Sequence, residues 1–129
     1  MSRRVLGAQA VIPVAAGTML LPGDIVAVNS SGYAVAASKA ENLTVAGVVE
    51  TLTDNSTGAA GVKIAVVNRV PYLLKNDGTI KKTDVLQKCY VADKATVTKT
   101  AAGSSVAGII LAVKEDGVIV DMSAATFLV

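Results

Sequence analysis

The chain of 129 residues has the length of one domain, and 52% of its residues are hydrophobic whereas only 17% are charged. That composition excludes an intrinsically disordered chain, which buries too little apolar surface to offset the entropy of ordering. The sequence has no histidine and one cysteine, which excludes a histidine proton shuttle, an internal disulfide and a cysteine-rich zinc site. Because the net charge is only +2, charge alone does not indicate a nucleic-acid-binding protein, and we expect no direct contact with nucleic acid.

Residues 1–10 carry two arginines but no apolar run long enough for the core of a signal peptide. No stretch of the chain reaches membrane-spanning length without glycine, proline or charge. We therefore expect a soluble, unprocessed protein without a membrane partner. Residues 1–10 also lack an apolar stripe, so we predict an extended N-terminal arm over 1–10 and a single domain over 11–129.

The domain is predicted to be all-β, because Val, Ile and Thr total 39 residues whereas Glu and Gln total five. Ten short apolar runs alternate with turn signals such as Pro22-Gly23-Asp24, Asn76-Asp77-Gly78 and Asp116-Gly117. The runs are residues 10–12, 25–28, 33–36, 45–52, 62–67, 72–74, 89–91, 95–98, 106–113 and 118–120. This spacing predicts one small β-barrel or sandwich of about 8–10 short strands, and residues 36–42 are expected to add at most one helical turn.

A weak internal similarity links the two halves of the chain. Residues 24–26, Tyr33 and residues 45–49 are echoed by residues 84–86, Tyr90 and residues 106–110. A duplicated β unit that closes into one pseudo-symmetric barrel would explain the similarity, and chance in a chain rich in Val and Ala would explain it equally well.

The sequence offers little chemistry, and we expect a protein that is not an enzyme and needs no metal or cofactor. The acidic residues are scattered singly at turns, and Cys89 lies in an apolar run that predicts a small buried side chain. One motif suggests an alternative function: residues 91–97 resemble the Asp-Lys-Ala hairpin of lipoyl carrier domains, with Lys94 at the acylated position. However, the Gly-Asp turn expected shortly before that hairpin stands at Gly23-Asp24 instead.

Charge is distributed unevenly along the second half. Residues 75–99 hold six lysines against three aspartates, whereas residues 100–129 hold one lysine against three acidic residues. Such a pattern is typical of a solvated surface, and a charge-complementary contact with a partner or another copy is the alternative.

The order of short motifs over almost the whole chain resembles that of the phage capsid decoration (head cement) proteins. The matching segments are residues 14–18, 22–28, 32–35, 45–48, 55–61, 89–93, 96–98, 106–110 and 116–120. Two departures from the family pattern are Ile119, where an aromatic residue is common, and Val70-Pro71 after Arg69, where a glycine is common.

The resemblance implies an all-β barrel that binds the outside of a phage capsid, reinforces the shell and carries no catalytic residues. The implied partners are the major capsid protein and further copies of the chain, as a homotrimer at local threefold axes or, as the runner-up, a dimer. The implied location is the virion surface, after synthesis in the host cytoplasm.

The N-terminal arm supplies the candidate capsid contacts. Arg3 and Arg4 could pair with capsid carboxylates, and Val5 and Leu6 could enter apolar pockets, next to Ser2. An extended segment of this kind can add as a strand to an exposed sheet edge.

Overall fold

A computed structural model describes residues 9–125, which form twelve β-strands and two single-turn 3₁₀ helices. The strands are β1 (Gln9–Pro13), β2 (Thr18–Leu20), β3 (Ile25–Val28), β4 (Ala34–Ala36), β5 (Thr44–Val49), β6 (Thr53–Asn55), β7 (Ile64–Asn68), β8 (Tyr72–Asn76), β9 (Lys88–Val91), β10 (Thr96–Thr98), β11 (Val106–Lys114) and β12 (Gly117–Asp121). The 3₁₀ helices are Lys82–Asp84 and Met122–Ala124. The predicted all-β class is confirmed, and within the described residues no helix is long and apolar enough to cross a membrane.

Each of the ten apolar runs coincides with a strand, and two further strands, β2 and β6, pair with each other outside those runs. The helical turn expected over residues 36–42 does not form. Ala36 is the last residue of β4, and the N–H of the buried Ala37 donates to the carbonyl oxygen of Ile25 at 2.8 Å. Burial of Ala37 in the core therefore outweighs the helical propensity of this short segment.

Two sets of five strands have the same topology. The hydrogen-bonded order is β1–β7–β5–β3–β4 in one set and β8–β12–β11–β9–β10 in the other. In both sets the first strand along the chain pairs with the last, which is followed by the fourth, the second and the third. The second set is a closed barrel, whereas the first is a five-stranded sheet whose edges are joined by a single isolated bridge; for brevity we call the two sets the first barrel and the second barrel. The suspected repeat is thus present in the strand topology, but as two separate five-stranded units instead of halves of one shared barrel.

The two barrels close differently along the seam between their first and third strands. In the second barrel, β10 pairs in parallel with β8, and the N–H of Lys75 donates to the carbonyl oxygen of Ala95 at 3.1 Å. In the first barrel only one parallel bridge, between Val14 and Ala34, closes the seam. The strand registers make Pro13 the counterpart of Lys75, and proline has no N–H to donate, so the corresponding hydrogen bond is missing.

Equivalent glycines mark the same β-bulge in both barrels. The ladder between the second and fourth strands of each set shifts register beside Gly47 in β5 and Gly108 in β11. A Cβ atom would lie 2.1 Å from the carbonyl oxygen of Asn68 if added at Gly47, and 2.2 Å from that of Asp121 if added at Gly108. Both positions need glycine because the neighbouring strand passes too close for any side chain.

The inward side chains fill each barrel and join the two barrels into one body. The first barrel encloses Ile12, Val14, Leu20, Val26, Ala34, Ala46, Val49, Ala65 and Val67. The second barrel encloses Leu74, Ile80, Cys89, Val91, Val97, Ala107, Ile110, Val118 and Val120. The alternate, outward residues Ile25, Ala27, Val45 and Val48 of the first barrel are also buried, because they pack into the core cluster of the second.

Candidate functional site

The candidate arm contacts Ser2, Arg3, Arg4, Val5 and Leu6 lie outside the described residues, so their role stays a prediction. The described part of the first barrel begins with Gln9, which pairs with Asn68 in the β1–β7 ladder. Gln9 and Ala10, included in the arm from the sequence, therefore belong to β1.

The outer face of the first barrel carries several exposed apolar side chains. In β7, Ala65 and Val67 point into the barrel, whereas Ile64 and Val66 alternate with them and face outward, 59% and 44% exposed. Val11 lies directly opposite Val66 in the β1–β7 ladder and is 63% exposed. A strand that faces water on one side normally carries polar residues there, so these exposed apolar residues make this face a candidate interaction surface.

Ile64 and Val66 border a groove of 470 Å³ that we call the first-barrel groove. Its lining consists of Thr51, Leu52, Thr53, Asp54, Lys63, Ile64 and Val66. Leu52, 54% exposed, provides its apolar wall opposite β7. This groove could not be recognised from the sequence, because an apolar run such as residues 62–67 also fits a strand buried on both faces.

Opposite charges flank the apolar part of the groove. The Asp54 carboxylate accepts the backbone N–H of Ser56 at 2.9 Å. Hydrogen bonds from the Ser56 side chain and backbone lower the pKa of Asp54, with a smaller contribution from the positive charge of Lys63. Asp54 is therefore a carboxylate at neutral pH, and the groove presents one acidic and one basic side chain to an incoming partner.

Lys94, the residue of the lipoyl alternative, lies at the turn between β9 and β10, and this turn is docked against the first barrel. Its carbonyl oxygen accepts the N–H of Ile25 at 2.7 Å, and its Nζ lies 3.8 Å from the Asp24 carboxylate. The side chain of Asp24 is only 8% exposed and also accepts the N–H of Leu21 at 2.9 Å. A swinging-arm lysine requires a free hairpin tip, and this geometry instead ties the tip of the hairpin to β3.

A second cavity, of 380 Å³, lies where equivalent loops of the two repeats meet, with residues 42–44 on one side and 104–106 on the other. Both loops contain a residue with positive φ, Asn42 at 66° and Gly103 at 73°. The Ser105 hydroxyl donates to the carbonyl oxygen of Ala40 at 2.6 Å and accepts the N–H of Leu43 at 3.1 Å. The Ser105 hydroxyl thus joins the two repeats through two hydrogen bonds, so this cavity lies at a structural junction.

Cys89 is fully buried, which confirms the predicted small apolar role. Its Sγ lies 3.8 Å from the carbonyl oxygen of Gly108, and burial raises the pKa of the thiol to about 12. In the described part of the chain, no group of three or more His, Cys, Asp or Glu side chains is arranged to hold a metal ion.

Comparison of the chain with protein-family models, with curated proteins and with solved structures finds no match. The assignment of the candidate site therefore rests on its geometry alone. That geometry consists of an apolar groove on a barrel whose interior is already filled.

Proposed function

We propose that the chain is a capsid decoration protein, a structural component that binds the outer surface of a phage shell and stabilises it. The observation that carries the proposal is the exposed apolar surface of the first barrel. Seven of the large hydrophobic residues exposed in the described structure belong to residues 11–66: Val11, Met19, Leu21, Leu52, Val62, Ile64 and Val66. Because the barrel interior is filled by its own core, this surface is suited to covering by other proteins.

Rigidity also supports the proposal. The outward residues of the first barrel pack into the core cluster of the second, and the bulge glycines allow strands of each unit to approach closely. A protein that reinforces a lattice must transmit force without deforming, and close-packed β interiors have low compressibility. The resemblance of the motif order to the decoration proteins is consistent with such a role.

The proposed assembly has the N-terminal arm on the shell and the barrels outside it. Arg3 and Arg4 would pair with carboxylates of the major capsid protein, and Val5 and Leu6 would enter apolar pockets. Several copies, as a trimer or a dimer, would bind far more tightly than one because their weak footprints act together.

Binding to shells tests this proposal directly. Purified protein is mixed with empty shells of the major capsid protein encoded beside it, and bound protein is measured by co-sedimentation and located by image reconstruction. We expect saturable binding at lattice positions on the outer surface. Absence of binding, or density inside the shell, contradicts the proposal.

Deletion of residues 2–8 tests the arm. We expect the deletion to weaken shell binding sharply while leaving the melting temperature nearly unchanged, because these residues precede β1. The matched control removes two positive charges from the body by replacing the exposed Lys39 and Lys114 with alanine, and it should bind normally. Undiminished binding of the deleted protein would show that the arm is not the anchor.

The alternative function, a lipoyl carrier domain, is tested by measuring the intact mass of the protein. Protein from a host with an active lipoate ligase should have the mass of the unmodified chain, with or without Met1. A lipoyl group on Lys94 would overturn the decoration proposal.

A further inference from the structure

The loop that leads into β9 contains a leucine in a backbone conformation that normally selects glycine. Residues 84–87 form a type II turn, in which the N–H of Gln87 donates to the carbonyl oxygen of Asp84 at 3.0 Å. Val85 has φ −57° and ψ 136°, and Leu86 has φ 70°. The third position of a type II turn requires a positive φ, which a leucine side chain disfavours sterically.

The first barrel has the same turn at the equivalent place, and it has the expected residues there. The N–H of Asp24 donates to the carbonyl oxygen of Leu21 at 3.0 Å, with Pro22 second in the turn and Gly23 third, at φ 92°. The third residue of each turn is also bound to its own barrel in the same way. Gly23 donates its N–H to the carbonyl oxygen of Val49 at 2.7 Å.

Leu86 makes the corresponding bond to the carbonyl oxygen of Ile110 at 2.6 Å. Its side chain is 70% exposed, the highest value among the exposed large hydrophobic residues described, and the neighbouring Val85 is 40% exposed. A strained, exposed leucine adds nothing to folding stability where the other repeat uses glycine. Strain of this kind is typical of recognition sites, so we interpret Val85 and Leu86 as a preformed apolar knob.

Basic residues surround the knob. Lys81, Lys82 and Lys88 are exposed, and the nearby Asp84 carboxylate is occupied as the acceptor of the Lys81 backbone N–H at 2.8 Å. An apolar pocket in a negatively charged body would therefore complement this surface.

Over residues 9–68 the first barrel has a net charge of −2, with Asp24 nearly buried beside Lys94 of the second barrel. Residues 9–68 contain two lysines against four acidic residues, whereas residues 69–121 contain eight basic residues against six acidic ones. The basic residues of the first barrel are Lys39 and Lys63, and its acidic residues are Asp24, Glu41, Glu50 and Asp54. Knob and groove therefore lie on barrels of opposite net charge within the same chain.

We propose that the Val85–Leu86 knob of one copy inserts into the first-barrel groove of a second copy. Leu86 would contact the apolar wall formed by Leu52, Ile64 and Val66, and the lysines around the knob would face the acidic first barrel. Knob and groove are different surfaces, so the contact is heterologous, and each added copy leaves one knob and one groove free until a ring closes. The buried leucine is the anchor of the interface, and the flanking charges set the orientation.

Single variants on the knob and on the groove separate the two sides of this contact. Leu86→Gly removes the knob and relieves the strained φ, so this variant should be at least as stable as the wild type. Ile64→Lys places a charge in the exposed wall of the groove, and Leu52→Asp is a second groove variant in a loop. Leu111→Ser is the matched control, because Leu111 is 39% exposed but belongs to neither surface.

Sedimentation velocity of the purified chain over a wide concentration range is the measurement, and it needs no shell. We expect the wild type and Leu111→Ser to associate, and Leu86→Gly, Ile64→Lys and Leu52→Asp each to weaken association at least tenfold. An equimolar mixture of Leu86→Gly and Ile64→Lys should form dimers and nothing larger, because the knob of one variant fits the intact groove of the other.

Three results would overturn the inference: a monomeric wild type at the highest concentration, wild-type association of Leu86→Gly, or a mixture that stays monomeric. Loss of association in the groove variants alone would identify a symmetric groove-to-groove contact and would also contradict the proposal. Because no capsid protein is present, failure here leaves the decoration function untouched, and failure of shell binding leaves this contact untouched.

Discussion

Gly108→Ala should destabilise the protein far more than the addition of one methyl group normally does. Gly108 lies in β11 beside the last residue of β12, and an added Cβ would meet the carbonyl oxygen of Asp121 at 2.2 Å and its carbonyl carbon at 2.8 Å. The Cα of Met122 would lie 3.0 Å away. All three atoms belong to backbone, so no side chain can turn aside, and β11 and β12 must separate.

The expected loss of unfolding free energy follows from two effects. Overpacking of a filled interior costs about 1–3 kcal/mol. Stretching the adjacent hydrogen bonds between β11 and β12 adds about 1 kcal/mol. We therefore expect a loss of about 2–4 kcal/mol and, for a chain of this size, a melting temperature lowered by roughly 6–15 °C.

Urea denaturation followed by far-ultraviolet circular dichroism gives the free energies. Gly47→Ala should show a similar loss, because its Cβ would meet the carbonyl oxygen of Asn68 at 2.1 Å. Gly78→Ala is the matched control: nothing lies within 4 Å of its Cβ, and φ is 101°. The control should cost only about 1–2 kcal/mol for its positive φ. If Gly108→Ala is no less stable than Gly78→Ala, the close approach of the strands is not what requires glycine at the bulge.

Further predictions concern the seam, a buried amide, the thiol and one turn carboxylate. Lys75→Pro removes the N–H that donates to the carbonyl oxygen of Ala95, so it should lower the free energy of unfolding, measured by urea denaturation, by about 1–3 kcal/mol. A smaller loss in Lys75→Pro than in Lys75→Ala would contradict the role of this hydrogen bond in closing the seam. Asn55→Ala should cost a similar amount, about 1–3 kcal/mol, because the buried amide donates to three backbone carbonyls; full stability would refute that role. Cys89 should react with an aromatic disulfide reagent at pH 8 only after denaturation, and rapid reaction of the native protein would contradict its burial. A hydrogen bond from the N–H of Ala95 lowers the pKa of the Asp93 carboxyl in the folded protein. The stability that ionised Asp93 contributes is therefore present above the pKa of an unfolded aspartate, about 3.9, and is lost as pH falls through the lower folded value. Asp93→Asn should lose less stability between pH 5 and 2 than the wild type, and identical acid titrations of the two proteins would exclude the effect.

The strands could be predicted from the sequence because each apolar run is short and ends at a turn residue. The barrel interiors also follow from the pattern, since alternate residues such as Ala65 and Val67 must face one side of a strand. The strands β2 and β6 could not be predicted, because each has only three residues, Thr53–Asn55 is polar, and their pairing depends on the fold that brings them together. The turn signal at Asp77-Gly78 follows a strand, but the chain passes there from β8 to a 3₁₀ helix and not to another strand.

The internal repeat could be recognised in the sequence only where the backbone conformation requires the same residue in both units. Residues 45–49 and 106–110 are equivalent because both contain the bulge glycine. The other parts of the suspected repeat were misaligned: Tyr33 precedes β4, whereas Tyr90 lies within β9, the counterpart of β3. Side chains at the other equivalent positions of the two units can differ, because strand pairing depends on backbone hydrogen bonds.

The candidate site was hidden for a related physical reason. Outward residues such as Ile64 and Val66 look like core residues in the sequence, and only the folded sheet shows which of its two apolar faces is solvent-exposed. The strained turn at Leu86 could not be anticipated either, because a positive φ is normally signalled by glycine or asparagine.

Differences between the two repeats separate the demands of folding from those of binding. Gly47 and Gly108 are the same because any side chain there would collide with a neighbouring strand. Leu86 differs from its counterpart Gly23, although glycine would relieve the turn, and its side chain points into solvent. A fold under selection for stability alone would use glycine in both turns, so the leucine has to be explained by what it contacts. Because the first repeat carries the groove and the second the knob, the divergence of one duplicated unit gives a single chain both halves of a contact between copies.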